Sequence, residues 1–115
     1  MSTRANIVIK EGNEQLWFYR HSDGYPEGTL PTLAKFLNYI KEGKIRADLG
    51  QAAGWLIIIG NEEYNGKGFG TDALERNDHS SWKVGAYEPT TGQHGDIDYL
   101  YTIDLDEKTV TYKKV

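Results

Sequence analysis

Residues 97–112, IDYLYTIDLDEKTVTY, decide the fold, because their apolar and polar side chains alternate on both sides of a short polar turn. The alternating residues before the turn are Ile97, Tyr99, Tyr101, Ile103 and Leu105. Residues 106–108, Asp-Glu-Lys, supply the turn, and Val110 and Tyr112 continue the alternation after it. Successive side chains of a strand point to opposite faces of a sheet, so the pattern predicts an antiparallel hairpin with one buried face.

A second hairpin is predicted at the start of the chain. In the strand predicted over residues 4–10, Ala5, Ile7 and Ile9 share one face. Residues 11–13, Glu-Gly-Asn, favour a turn, and the alternating, aromatic-rich segment that follows them is typical of a returning strand.

Two helices are predicted between these hairpins. Apolar residues recur at helical spacing over residues 30–42, where Thr29 suits the cap position and Pro31 is tolerated in the first turn. Residues 47–64 favour a second helix, although the apolar run at residues 55–59 is also compatible with a buried central strand. The helix is the preferred interpretation, because the apolar residues there share a broad helical face.

The remaining segments complete the predicted architecture. Residues 65–81 are rich in Gly, Asn, Asp and Ser and predict a surface loop. Residues 82–87 predict a third strand, which ends at a turn over residues 89–92. Together the segments predict a single α+β domain over residues 1–115, with an antiparallel sheet of about five strands and two helices packed on one face.

The composition excludes several classes of protein. The chain has no cysteine, so it offers neither a disulfide framework nor a thiolate nucleophile, and a cytoplasmic setting is expected. Its longest apolar run, residues 55–59, is too short to span a membrane. The formal net charge of −4, from 17 acidic and 13 basic residues, argues against broad binding to nucleic-acid backbones.

Polar and aromatic residues cluster in two turn-bearing segments, residues 20–28 and 86–96. Loops on a rigid sheet often carry function, and these two meet at one end if the strands before them run in the same direction. The candidate ligand-binding residues are Arg4, Arg20, His21, Asp23, Tyr25, Tyr87, Thr90, Thr91 and His94. Guanidinium and aromatic groups suit an anionic, planar ligand such as a nucleotide. Alternatively, the segments are ordinary turns, and the tyrosines complete the edge of the core.

Two His-x-Asp pairs, His21 with Asp23 and His94 with Asp96, offer a further alternative, since four such side chains suit a metal ion and a metal-dependent hydrolase. The sequence contains neither a His-Glu-x-x-His motif nor a Gly-x-Ser-x-Gly motif. Ser22 is poorly placed for proton transfer, because it directly follows His21 in the chain. The sequence therefore favours a protein that acts by binding and needs no cofactor.

Residues 1–7, MSTRANI, together with residues 19–28, YRHSDGYPEG, resemble small uncharacterised proteins of bacteriophages and bacterial mobile elements. The resemblance covers mainly the first third of the chain. Proteins of this sort are often anti-defence factors, which inhibit a host immune protein directly or sequester the nucleotide messenger that activates it. The resemblance therefore implies a phage-encoded anti-defence protein that acts by binding in the host cytoplasm.

A second hypothesis is a protein-interaction inhibitor that blocks a host nuclease or another immune effector. Asp96, Asp98 and Asp104 concentrate negative charge near the C-terminal hairpin, and a small antiparallel sheet leaves a free edge strand. The same free edge is compatible with a homodimer.

Overall fold

One mixed sheet and three helices make up the fold, and the computed structural model describes residues 2–66, 71–76, 79 and 82–115. The strands are β1 (Ala5–Glu11), β2 (Glu14–Arg20), β3 (Glu88–Thr90), β4 (Tyr99–Asp104) and β5 (Thr109–Lys114). The helices are α1 (Pro26–Lys41), α2 (Leu49–Asn65) and the four-residue α3 (Asp72–Glu75). The strands are ordered β3-β2-β1-β4-β5, so the fold is α+β with five strands, as the sequence predicts.

Both predicted hairpins are confirmed. β1 pairs antiparallel with β2, where Ile7 lies opposite Phe18. β4 pairs antiparallel with β5, where Tyr101 lies opposite Tyr112. The carboxylate of Asp104 stabilises the turn between β4 and β5, because it accepts hydrogen bonds from the backbone N–H groups of Asp106 and Glu107.

The sheet is not wholly antiparallel, which corrects the prediction. β4 runs parallel to β1, while the other three neighbouring pairs are antiparallel. Parallel neighbours need a crossover, and here residues 91–98 leave β3 at one edge and pass β2 and β1 before they enter β4. The crossover is tied to the sheet, because the His94 N–H donates to the side-chain oxygen of Asn6 at 2.7 Å.

The strand predicted over residues 82–87 is wrong. Only Glu88–Thr90 pairs with β2, so Pro89 lies in an edge strand and not in the predicted turn. The residues before β3 bond to α2 instead, because the Ala86 N–H donates to the Gly60 carbonyl at 3.0 Å. A proline is tolerated at the edge of a sheet, where its missing N–H leaves no neighbour unpaired.

The first helix begins earlier than the predicted start at residue 30. Its first residue is Pro26, and proline suits this position because the missing N–H has no partner in a first turn. Thr29 does not cap the helix, since its buried hydroxyl donates to the Asp23 carbonyl at 2.9 Å. Pro31 therefore lies inside the helix and not in its first turn.

The helix predicted over residues 47–64 is confirmed as α2, which also passes through the alternative strand at residues 55–59. The Asp48 side chain caps α2 by accepting the Gln51 N–H at 3.0 Å. This bond, with the neighbouring Arg46 guanidinium, lowers the pKa of the Asp48 carboxyl. The buried residues of α2 are Ala52, Ala53, Leu56 and Gly60.

The hydrophobic core contains residues of the sheet and of both long helices. Its fully buried members include Ile7, Ile9, Phe18, Leu33, Phe36, Leu56, Tyr101 and Ile103. Burial of apolar area at about 25 cal/mol per Å² makes such a cluster the main source of stability. None of the helices in the described residues has the length and apolar character needed to cross a membrane.

The surface loop predicted over residues 65–81 is described only in part. Residues 67–70, 77–78 and 80–81 lie outside the described residues. Within the rest, α2 extends to Asn65 and α3 occupies four positions.

Candidate functional site

Two of the predicted binding residues, Arg20 and Tyr87, lie side by side inside the protein. Arg20 is 1% exposed, and Tyr87 is 0% exposed. The guanidinium carbon of Arg20 lies 5.2 Å from the centroid of the Tyr87 ring, and its Nη2 lies 2.6 Å from Glu63 Oε2 on α2. Arg20 Nε also donates to the Ser22 carbonyl at 2.8 Å. These two side chains therefore bind other residues of the protein and are not offered to solvent.

The surroundings of this buried pair fix its charges. Burial lowers the pKa of Arg20, but the hydrogen bond to Glu63 and the electrostatic effects of Tyr87, Glu63 and Tyr64 together outweigh burial and raise the pKa above its ordinary value, so the guanidinium stays charged. Burial raises the pKa of the Tyr87 hydroxyl, which stays neutral. In the described part of the chain, Arg20 Nη1 has no hydrogen-bond partner, and the Tyr87 hydroxyl lies near Thr32 without a well-formed bond. Each side chain thus keeps one unused polar atom.

Three other predicted residues, His21, Thr90 and His94, meet around Tyr19, which the sequence analysis does not select. The Tyr19 ring stacks on His94 at a centroid distance of 4.1 Å and meets His21 edge-on at 4.5 Å. Thr90 Oγ1 lies 2.7 Å from His94 Nε2. Together with Asp96, these residues are called the Tyr19 cluster below.

Polar atoms of the Tyr19 cluster bond to neighbouring side chains. Burial, followed by the bond that the Tyr19 hydroxyl donates to Asp96 at 2.8 Å, raises the pKa of Tyr19 to about 12. Arg4 Nε lies 3.6 Å from the same carboxylate oxygen, and His21 Nε2 lies 2.8 Å from Glu88 Oε1. A phenol with so high a pKa donates a hydrogen bond at neutral pH and does not act as a base. The contacts of Tyr19 with Asp96 and His94 hold the crossover against β2.

Asp23 and Tyr25 belong to a third set of contacts. The Tyr25 hydroxyl donates to Asp23 Oδ1 at 3.3 Å, and the Gly24 N–H donates to the Thr3 carbonyl at 2.9 Å. Thr91 is exposed at the start of the crossover. Within the described residues, no hydrogen bond joins Asp23, Gly24 or Tyr25 to the Tyr19 cluster. The binding role of the nine residues therefore stays a prediction.

The two His-x-Asp pairs do not assemble a metal site in the described part of the chain. No three His, Asp or Glu side chains there are grouped so that they could hold a metal ion. His21 is hydrogen-bonded to Glu88, and Asp96 accepts the Tyr19 hydroxyl, so these two side chains of the predicted metal site bond to other residues. The metal-dependent hydrolase thus lacks a set of ligands among these residues.

The acidic residues near the C-terminal hairpin have roles in the fold. Asp98 Oδ2 accepts the Arg4 N–H at 3.2 Å, and Asp96 accepts the Tyr19 hydroxyl. Asp104 accepts the backbone N–H groups of its own turn. Each of these three acids therefore accepts a hydrogen bond within the chain.

An apolar groove lies between α1 and α2, and none of its lining residues comes from the two predicted turns. Its volume is about 660 Å³. The apolar lining residues are Pro31, Tyr39, Ile45, Trp55, Ile58 and Ile59, and the polar ones are Thr32, Lys35, Lys44, Glu62 and Glu63. Concave sites of about 300–1,000 Å³ with a mainly apolar lining are typical of small-molecule binding. This cavity is called the α1–α2 groove.

The groove exists because α2 is apolar on two sides. One side is buried in the core, while Trp55, Ile58 and Glu62 recur at helical spacing along the groove. Trp55 is 43% exposed and Ile58 is 46% exposed, although both are large apolar residues. The sequence carries a signal for this, since a run as apolar as residues 55–59 on a helix cannot fit into one core-facing stripe.

Two lysines give the groove a positive rim. Lys35 Nζ lies 5.9 Å and Lys44 Nζ 5.8 Å from the centroid of the Tyr39 ring. Both carboxylate oxygens of Glu63 are already bonded, one of them to a buried guanidinium. Among the lining residues, Glu62 is thus the remaining acidic charge against two lysines, of which Lys44 also forms a surface ion pair with Glu42 at 3.2 Å. Lys35 is therefore the main positive group that the groove offers to an anion.

Comparisons of the chain with protein-family models, with curated proteins and with solved structures find no match in any of the three. The geometry and chemistry of the groove therefore have to carry the functional assignment.

Proposed function

We propose that this protein is a non-catalytic binding protein that holds a small anionic molecule with a planar apolar body, such as a nucleotide, in the α1–α2 groove. The observation that carries the proposal is the groove itself, which combines a volume of about 660 Å³ with an apolar lining and two lysines. A groove of this size has room for a nucleotide-sized ligand and can remove part of its apolar surface from water.

Each part of such a ligand has a matching group in the groove. Trp55 and Tyr39 present aromatic rings, and stacking of one base on such a ring contributes about 1–3 kcal/mol. Lys35 and Lys44 supply positive charge for a phosphate. Because these lysines are near solvent, binding should weaken as the salt concentration rises.

Binding without chemistry agrees with the setting that the first third of the chain implies. In the proposed setting, a phage-encoded protein counters host defence in the host cytoplasm by holding a nucleotide signal away from the immune effector that it activates. Sequestration needs one binding site on each copy of the protein and no turnover, so the groove supplies what the activity requires.

A panel of linear and cyclic nucleotides is expected to raise the unfolding temperature of the purified protein, because a ligand of the folded state adds stability by mass action. At a ligand concentration of about 100 times Kd, the added stability is about 2.7 kcal/mol. Lys35→Glu and Lys44→Glu are each expected to weaken binding about tenfold or more, since a repelling charge replaces an attracting one. Differential scanning calorimetry measures the shift in unfolding temperature, and isothermal titration calorimetry measures the change in Kd.

Lys41→Glu is the matched control. Lys41 is exposed at the end of α1, the helix that carries Lys35, and it does not line the groove. The substitution changes the net charge by the same amount as Lys35→Glu or Lys44→Glu. It should bind like the unmodified protein. Arg4→Ala tests the loop alternative and should also leave binding intact. A panel with no thermal shift contradicts the proposal, and so does a shift that survives Lys35→Glu but is lost in Arg4→Ala.

A further inference from the structure

The two edges of the sheet differ in their capacity to pair with another strand. The β3 edge has three residues, and one of them, Pro89, lacks the N–H that pairing requires. The β5 edge, Thr109–Lys114, has six residues without a proline, and five of the six are exposed. A long exposed edge is a template for strand addition, whereas a short edge with proline is protected.

The hydrogen bonds between β4 and β5 show which backbone groups of β5 are free. The Val115 N–H donates to the Asp98 carbonyl at 2.8 Å, and Asp98 lies opposite Val115 in the register of the hairpin. In an antiparallel ladder, every second residue bonds to the neighbouring strand. The N–H and C=O groups of Val110, Tyr112 and Lys114 therefore point away from β4, toward the open edge.

We propose that two copies of this chain pair antiparallel through β5, about a two-fold axis at Tyr112, and form one continuous ten-stranded sheet from two five-stranded ones. In this register Tyr112 faces Tyr112 of the second copy, and Val110 faces Lys114. The three residues with outward backbone groups then exchange six hydrogen bonds across the axis. Two-fold pairing of one surface with itself is the commonest way in which chains of one kind associate.

The positions of the lysines disfavour the two registers next to this one. With the axis at Tyr112, Lys113 faces Thr111 and Lys114 faces Val110, so no lysine lies opposite another. An axis at Thr111 would set Lys114 against Lys108, and an axis at Lys113 would set that residue against itself. Like charges directly opposite each other destabilise a pair of strands, and these two registers are therefore disfavoured.

The side chains at the axis also gain from pairing. Tyr112 is 49% exposed, and its ring lies 5.6 Å from Tyr101 and 6.3 Å from Tyr99 between centroids. Across the axis, the second copy extends this row of tyrosines and covers part of the exposed ring. Val115, which is 58% exposed, faces Thr109 in the same register.

The test measures molecular mass as a function of concentration by sedimentation velocity, with charge variants at one exposed position. Thr111→Lys sets a lysine against Lys113 of the second copy at two symmetric places, and it should raise the dimer Kd about tenfold. Thr111→Glu sets an opposite charge there, and it should lower the Kd. The double variant Thr111→Lys/Lys113→Glu should restore dimerisation, because opposite charges then face each other at both places.

Tyr112→Pro is a backbone variant that removes the outward N–H without removing a bond to β4. It should be monomeric with an unchanged β-sheet circular dichroism signal, and the Thr111 variants keep the test valid if Tyr112→Pro fails to fold. An unmodified protein that stays monomeric up to about millimolar concentration overturns the proposal. Equal dimer Kd values for Thr111→Lys and Thr111→Glu overturn the proposed register and with it the proposal.

Discussion

Gly85→Ala is expected to destabilise the protein by about 3 kcal/mol, because a methyl group at this position collides with the backbone of α2. A Cβ atom on Gly85 would lie 2.6 Å from both N and Cα of Asn61 and 2.7 Å from the carbonyl carbon of Gly60. The φ angle of Gly85 is +152°, which side-chain-bearing residues rarely adopt. Urea unfolding of the variant and the unmodified protein measures the difference.

The collision cannot be relieved by turning a side chain, since the opposing atoms belong to the main chain. Movement of the segment away from α2 would break the bond from the Ala86 N–H to the Gly60 carbonyl. It would also break the bond from Asn61 Nδ2 to the Val84 carbonyl, which is 2.7 Å long. Tyr87, which follows Ala86 in the chain, would leave the core as well. The loss of stability therefore extends beyond the local clash.

Gly54→Ala is the matched control, because it introduces the same methyl group at an exposed position of α2. A Cβ atom at Gly54 meets no atom within 4 Å. Alanine has a higher helix propensity than glycine, so this variant should be more stable by up to about 1 kcal/mol. If the two variants shifted stability in the same direction and by similar amounts, the close approach at Gly85 would be disproved.

The hairpins are predictable from the sequence because their pattern depends on neighbours in the chain. Tyr101 and Tyr112 lie opposite each other in the structure, as alternation around a short turn requires. The parallel pairing of β1 with β4 has no such local signal. It depends on a crossover that is held by Asn6 on β1, and alternation on each strand does not specify the order of strands.

The segment of residues 82–87 shows how tertiary contacts override a local pattern. Its apolar residues alternate as in a strand, yet Trp82 is 75% exposed and the Ala86 N–H bonds to α2. The informative residue was Gly85, since a glycine in a strand pattern often marks a close approach of another backbone. The sequence does not say which backbone approaches, because α2 lies far away in the chain.

The candidate site was harder to predict than the fold. Loop composition selected Arg20, His21 and His94, whose polar groups bond within the protein itself. The α1–α2 groove was missed because it is formed by residues from two helices, and their side-by-side packing has no sequence signature. The apolar excess of α2, with Trp55 and Ile58 turned outward, was the available signal.

Glu63→Gln is expected to cost about 3 kcal/mol of stability, because it leaves the charge of Arg20 buried without its counter-charge. Arg20 is 2% exposed at its side chain, and its Nη2 lies 2.6 Å from Glu63 Oε2. The Glu63 side chain is 26% exposed, so water compensates part of the loss and places the cost at the low end of the range for buried ion pairs. Urea unfolding measures the cost.

A double-mutant cycle separates the ion pair from the other contacts of each side chain. Arg20→Met removes the buried charge itself, so the double variant Arg20→Met/Glu63→Gln should lose at least about 1 kcal/mol less than the sum of the single losses. Arg46→Met is the control, since Arg46 forms its ion pair with Asp48 at a side chain that is 76% exposed, and its loss should lie within the error of the measurement. Additive losses at Arg20 and Glu63 would show that the guanidinium is stabilised by Tyr87 and the Ser22 carbonyl instead. The carboxylate of Glu63, which also accepts the Thr32 hydroxyl, would then count as a second acidic charge of the groove beside Glu62.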